Sequence, residues 1–251
     1  MERTLKDNMD KVYQAMKVIA KSKGVKASPQ HDLYKMSSPD FLNVFYWEDY
    51  DIKAQKLTMK IEYEAKCDYF DELKLYIVEH DSTTKITEKV RANSVIKVRS
   101  QVGEDSLDFD CDGSDEAYSG ICETAFSHIE EWYHKFFAEV KEKHGDLESF
   151  FLDNKEEYPM QALLVFIHQE KYYEAETCLE KIPKKLNSCR IVAPENDEEK
   201  QRLIDSNAEV FGDAYLRDDM DCIIDYITAK NKGLEWTKER AKFGLLNEER
   251  G

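Results

Sequence analysis

The sequence predicts an α+β protein: an antiparallel sheet flanked by an N-terminal helix and a long helix, followed by an all-helical C-terminal part. Three observations carry this. From Leu57 to Ala65 the chain alternates, with Leu57, Met59, Ile61, Tyr63 and Ala65 on one face and Thr58, Lys60, Glu62 and Glu64 on the other. That is the pattern of a half-buried antiparallel strand. From about Ala117 to His144 the apolar residues recur at helical spacing, and Gly145 supplies a stop. After residue 146 the remaining segments keep helical spacing.

At the N-terminus, Leu5, Met9, Val12, Met16 and Ile19 form an apolar stripe between lysines, with Gly24 as its end. The reading is a helix that covers a sheet, with a homodimer seam second. Its apolar face has no Trp or Phe to seat it at a membrane interface. Phe41–Trp47 reads as an extended strand and Leu73–Val78 as a third. Thr83–Asn93 reads as a short helix, and Val95–Val102 and Leu107–Cys111 as a returning pair of strands. The long helix carries two adjoining stripes: Ile121, Ala125, Ile129, Trp132, Phe136 and Val140, then Phe126, Tyr133 and Phe137. So wide a face should touch two neighbours.

Helices follow over Asp146–Leu152, Pro159–His168, Tyr172–Ile182, Asp197–Leu216 and Asp218–Ala229. Carboxylates in Glu195–Glu199 sit at a helix start, where the dipole favours them. The tail from Leu234 to Leu246 reads as a last helix anchored by Trp236 and Phe243. The expected domains are an α+β part, residues 1–145, and a helical part, residues 146–251, docked on the long helix.

The 251 residues are 41% hydrophobic and 35% charged, a globular composition, and carry a formal charge of −16. So acidic a surface repels phosphate backbones, which argues against nucleic acid, and it attracts basic proteins. The longest apolar run, Ala162–Ile167, is far below the ~20 residues of a membrane span. The six cysteines form no C-x-x-C pair, and no signal-peptide pattern precedes them. They read as reduced thiols of a cytoplasmic protein.

Between Glu104 and Glu116 seven of thirteen residues are carboxylates. Asp108-x-Asp110-x-Asp112-Gly113 is how an EF-hand calcium loop begins, but position 12 is Ser119, which cannot supply a bidentate carboxylate. A hairpin turning at Gly103-Glu104 accounts for the run instead. It sets Val98 against Phe109, Ile96 against Cys111, Arg99 against Asp108 and Lys97 against Asp110. Only Asp112, Asp115 and Glu116 remain as a candidate weak metal site, and no cofactor is expected.

Other chemistry is sparse. Glu131-x-x-His134 is half of a di-iron motif with no second copy. His128 and His134 point to different helix faces, and His168 reads as a helix-end or core histidine. Phosphate-loop, dinucleotide, zincin and nucleophile-elbow signatures are missing. Tyr46, Trp47, Glu48, Asp49 and Tyr50 combine interface-type aromatics with acids and are the candidate partner-binding residues.

The order of segments through residue 144, α-β-β-β-α-β-β-α, resembles the type III secretion chaperone-like fold. That resemblance implies a bacterial, non-catalytic protein that holds partner proteins and often dimerises. The family is usually shorter than this chain. Ala162, Leu163, Phe166, Tyr172, Ala175, Leu179 and Ile182-Pro183 are similar to one tetratricopeptide helix pair, without its glycine or a second repeat, and read as an ordinary helical hairpin. The function expected is non-enzymatic binding of a basic protein, chaperone-like or as an immunity-type inhibitor. The alternative is a hydrolase or metal-dependent enzyme with a dispersed site in a cleft between the two parts.

Overall fold

The computed structural model describes residues 5–27, 32–37, 40–51, 53–79, 101–182, 189–205, 208–211, 214–237 and 240. They form an α+β chain with two compact units, one of residues 1–68 and 99–150, the other of 69–98 and 151–251. The expected cut near 145 falls close to the crossing between the units at residue 150, and the described residues 69–79 group with the C-terminal stretch. Among the described residues no helix is long and apolar enough to cross a membrane.

The first unit begins with α1 (Leu5–Ser22). Gly24, at φ +70°, closes it, and the Val25 and Gly24 amides donate to the Ala20 and Lys21 carbonyls. This left-handed glycine cap is the stop read from sequence. Five antiparallel strands follow in spatial order β1-β2-β3-β4-β5: β1 (Lys26–Ala27), β2 (Asp32–Ser37), β3 (Asp40–Asp51), β4 (Lys56–Cys67) and β5 (Gln101–Asp110). Asp51 organises the turn between β3 and β4, its carboxylate accepting from the Lys53 and Ala54 amides.

Along β4 the expected inner set, Leu57, Met59, Ile61, Tyr63 and Ala65, is buried without exception. Each such large side chain contributes about 1.5–3 kcal/mol relative to exposure. Val12, Met16 and Ala20 of α1 are fully buried, while Val18 is 71% exposed. The long helix α3 (Asp115–Lys143) runs beside α1 in the same direction. Lys11 pairs with Asp115, the Cys122 thiol faces the Val12 carbonyl at 3.8 Å, and Lys23 pairs with Glu130 at 3.0 Å. α3 buries Ile121, Ala125, Phe126, Ile129 and Val140, and ends at Gly145, φ +89°.

The acidic run is not half of a hairpin turning at Gly103-Glu104. β5 runs through both residues, with a register shift beside Gly103 between Tyr63 and Glu64, and pairs with β4: Gly103 lies opposite Tyr63, Asp108 opposite Thr58 and Asp110 opposite Lys56. The expected helix over 83–93 and the strand residues 95–100 lie outside the described residues.

In the second unit, α2 (Phe70–Glu79) replaces the strand expected at Leu73–Val78. Its Ile77 and Val78 join one core with residues of α5 (Pro159–His168), α6 (Tyr172–Leu179) and α8 (Asp219–Asn231). In chain order α4 (Leu147–Asp153) follows the long helix and precedes α5. Trp236 anchors the chain after α8 as expected, buried with its indole N–H donating to the Ile77 carbonyl at 3.1 Å. Residues 234–237 are not helical, and Phe243 lies outside the described residues. α5 and α6 pack as a helical hairpin with Ala162 and Ala175 fully buried.

The C-terminal part is not all-helical. α7 (Asp197–Asp205) ends early, and what reads as its continuation forms strands. β6 (Cys189–Val192), β7 (Glu209–Phe211) and β8 (Ala214–Asp218) make an antiparallel sheet in order β6-β8-β7. The start of α7 is as read: Asn196 accepts from the Glu199 amide, and the Glu199 carboxylate accepts from the Glu195 amide.

Candidate binding face on the first sheet

The pleat of β3 divides the five candidate partner-binding residues. Tyr46 is buried at 2% exposure, and Tyr50 donates its hydroxyl to the Cys111 carbonyl at 3.1 Å. Tyr46, Glu48 and Tyr50 share the sheet face that carries Ile61, Met59 and Leu57, their cross-strand partners. Trp47 and Asp49 lie on the opposite face, and Trp47 is 41% exposed. Period-two geometry makes this split unavoidable in a strand.

The solvent-facing side is built by register. Trp47 lies opposite Lys60 and Lys60 opposite Ser106; Asp49, Thr58 and Asp108 form the next row; Asp51, Lys56 and Asp110 form the third. Glu62 lies opposite Glu104. This face therefore carries Asp49, Asp51, Glu62, Glu104, Asp108 and Asp110 against Lys56 and Lys60. Thr58 donates to Asp108 at 2.7 Å, and Lys56 pairs with Asp110, whose hydrogen bond and charge raise the lysine pKa. Beside Trp47 the surface sinks into a cavity of about 330 Å³, lined by Trp47, Lys60, Ile61, Glu62, Glu104, Asp105 and Ser106.

Asp112, Asp115 and Glu116, the candidate metal residues, stand at the start of α3. Asp112 accepts from the Ser114 amide at 2.8 Å, and Ser114 caps the helix by accepting from the Ala117 amide at 3.1 Å. Asp115 and Glu116 occupy the first turn, where the helix dipole favours negative charge. Among the described residues no group of three or more His, Cys, Asp or Glu side chains is placed to hold a metal ion.

A polar cluster on the inner face was missed by sequence reasoning. Asp105 accepts from the Tyr63 hydroxyl at 3.1 Å and lies 2.8 Å from His128 Nε2. Burial, then the Asp105 charge and hydrogen bond, push the Tyr63 pKa upward. Trp132 stacks on Tyr63 with ring centres 3.8 Å apart and planes 7° from parallel, and Phe136 stacks on Trp132. A carboxylate in this position orients an imidazole and holds the helix to the sheet. The signal was in the alternation: Gly103, Asp105, Leu107 and Phe109 share a face, and Asp105 is its charged member. The half-motif residues Glu131 and His134 are exposed. His168 ends α5 and stacks on Tyr69 with ring centres 3.8 Å apart.

Cys67, Cys111, Cys122, Cys178 and Cys222 are buried free thiols. Burial, with the nearby Glu48 charge, pushes Cys122 up to about 12, so it stays an inert thiol at neutral pH. Comparison of this chain with protein-family models, with curated proteins and with solved structures found no match.

Proposed function

We propose that this protein binds a basic protein through the solvent-facing side of β3, β4 and β5, without catalysing a reaction. The observation that carries the reading is the composition of that face: six carboxylates and two lysines surround one exposed tryptophan on three paired strands. Acidic faces of this kind steer basic partners and weaken with salt, and a lone exposed Trp is a typical anchor. The chaperone-like or immunity-type role belongs to this reading, as does the type III secretion chaperone-like resemblance. A cytoplasmic setting does too, on the strength of the buried free thiols.

The test is capture of partners from the native host by the native chain and by a face-neutralised chain, Asp49→Asn with Asp108→Asn and Asp110→Asn. A basic protein should be retained by the first, lost from the second and released by raised salt. Retention that ignores both the substitutions and the salt would overturn the reading.

A further inference from the structure

We propose that the cavity beside Trp47 is the seat of a single arginine side chain from the bound protein, an inference that rests on the binding-face reading above. Glu62 and Glu104 lie directly opposite each other on β4 and β5. Like charges at directly facing positions destabilise a sheet. Gln101 donates to one Glu104 oxygen at 3.2 Å, but neither glutamate has an ion-pair partner among the described residues. Two carboxylates are thus held together at the rim of one cavity, and Trp47 forms its wall. Lys60 is the one base of the lining, and the Asp105 carboxylate is engaged by Tyr63 and His128 on the other face, which leaves the two glutamates as the acids a ligand meets.

A cation entering this space gains from both glutamates and from the indole face. The geometry favours guanidinium over ammonium. A planar fork can meet two carboxylates at once and lie flat on an indole, whereas an ammonium acts as a point charge with a tightly held hydration shell. Arginine is also the commoner cation over aromatic rings in proteins, and tryptophan the most favourable ring. Five of the lining residues, Trp47, Lys60, Glu62, Glu104 and Ser106, lie on the exposed side of the sheet, so a side chain projecting from a docked protein reaches the cavity without opening the fold.

The test follows the Trp47 indole N–H by two-dimensional NMR, its signal identified by loss in Trp47→Leu. The probes are acetyl-Gly-Arg-Gly-amide and the same peptide with lysine or with citrulline, the uncharged isostere of arginine. The arginine peptide should shift the signal saturably in the millimolar range. The citrulline peptide, and the arginine peptide with Glu62→Gln/Glu104→Gln, should bind about tenfold more weakly. Lysine should fall in between. An unshifted signal, an equal response to citrulline or lysine, or an unaffected double variant would overturn the assignment. The two readings fail separately. Face neutralisation at Asp49, Asp108 and Asp110 leaves the cavity lining intact, so lost capture with no arginine response would leave the face and remove the seat.

Discussion

Trp132 occupies the place that a side chain at residue 103 would need: a Cβ built on Gly103 falls 2.5 Å from Trp132 Cζ2. Gly103 lies opposite Tyr63 in the sheet, so the indole rests over the glycine and stacks flat on the tyrosine ring. A bare strand position lets the long helix come close enough for this contact. Gly103→Ala should cost about 1–3 kcal/mol, the usual effect of overpacking. Urea denaturation measures it. Adding Trp132→Leu should cost less on the Gly103→Ala background than on the native one, because the clash is gone; equal costs would count against the contact.

Lys74 of α2 and Asp219 at the start of α8 form a buried ion pair at 3.2 Å, their side chains 5% and 7% exposed. Removing one partner strands the other charge away from water. Lys74→Met should therefore destabilise by about 3–5 kcal/mol, and Lys74→Met with Asp219→Asn by clearly less. Thermal or denaturant melting of the two variants decides it.

Alkaline stability should depend on Cys122. Its folded pKa, about 12, lies above the ordinary thiol value of 9.0. The unfolded chain then loses the proton first. The contribution is complete below pH 9 and is lost as pH rises from there toward 12, at up to about 1.4 kcal/mol per pH unit. Cys122→Ala should flatten this part of a stability profile, at some cost from the cavity it leaves.

Ser114 should matter to the fold through its cap on α3. Ser114→Ala should cost about 1 kcal/mol, the usual value of a lost N-cap. Because Asp112 and Asp115 already serve the helix start and Lys11, millimolar calcium should leave Tm unchanged. A calcium-dependent rise in Tm that Asp112→Asn abolishes would reinstate an ion site there.

The three substitutions that neutralise the outer face should each change stability by less than about 0.5 kcal/mol, since exposed charges contribute little. Matching melting curves, with binding lost, would separate a functional surface from a structural one.

Features whose physics is local were legible along the chain. The alternation of β4 put five residues inside because successive side chains must point to opposite faces. Gly24 and Gly145 ended their helices because a left-handed residue ends a helix cheaply only when it lacks a Cβ. The Asn196–Glu199 start was legible because both partners lie within one turn. Packing between distant segments settled the rest. Leu73–Val78 is an apolar run too short to distinguish a strand from a buried helix, and the surrounding core, with Trp236 on the Ile77 carbonyl, settles it as α2. The strands of the second sheet are three to five residues long, too short to announce themselves. The acidic run had two complementary partners of alternating basic and apolar residues, 95–99 and 56–60, and charge matching alone could not choose between them. Pairing β5 with β4 brought Glu62 against Glu104 beside Trp47 and carried Asp105 to His128. The candidate site therefore exists only in the register, which no short-range pattern specifies.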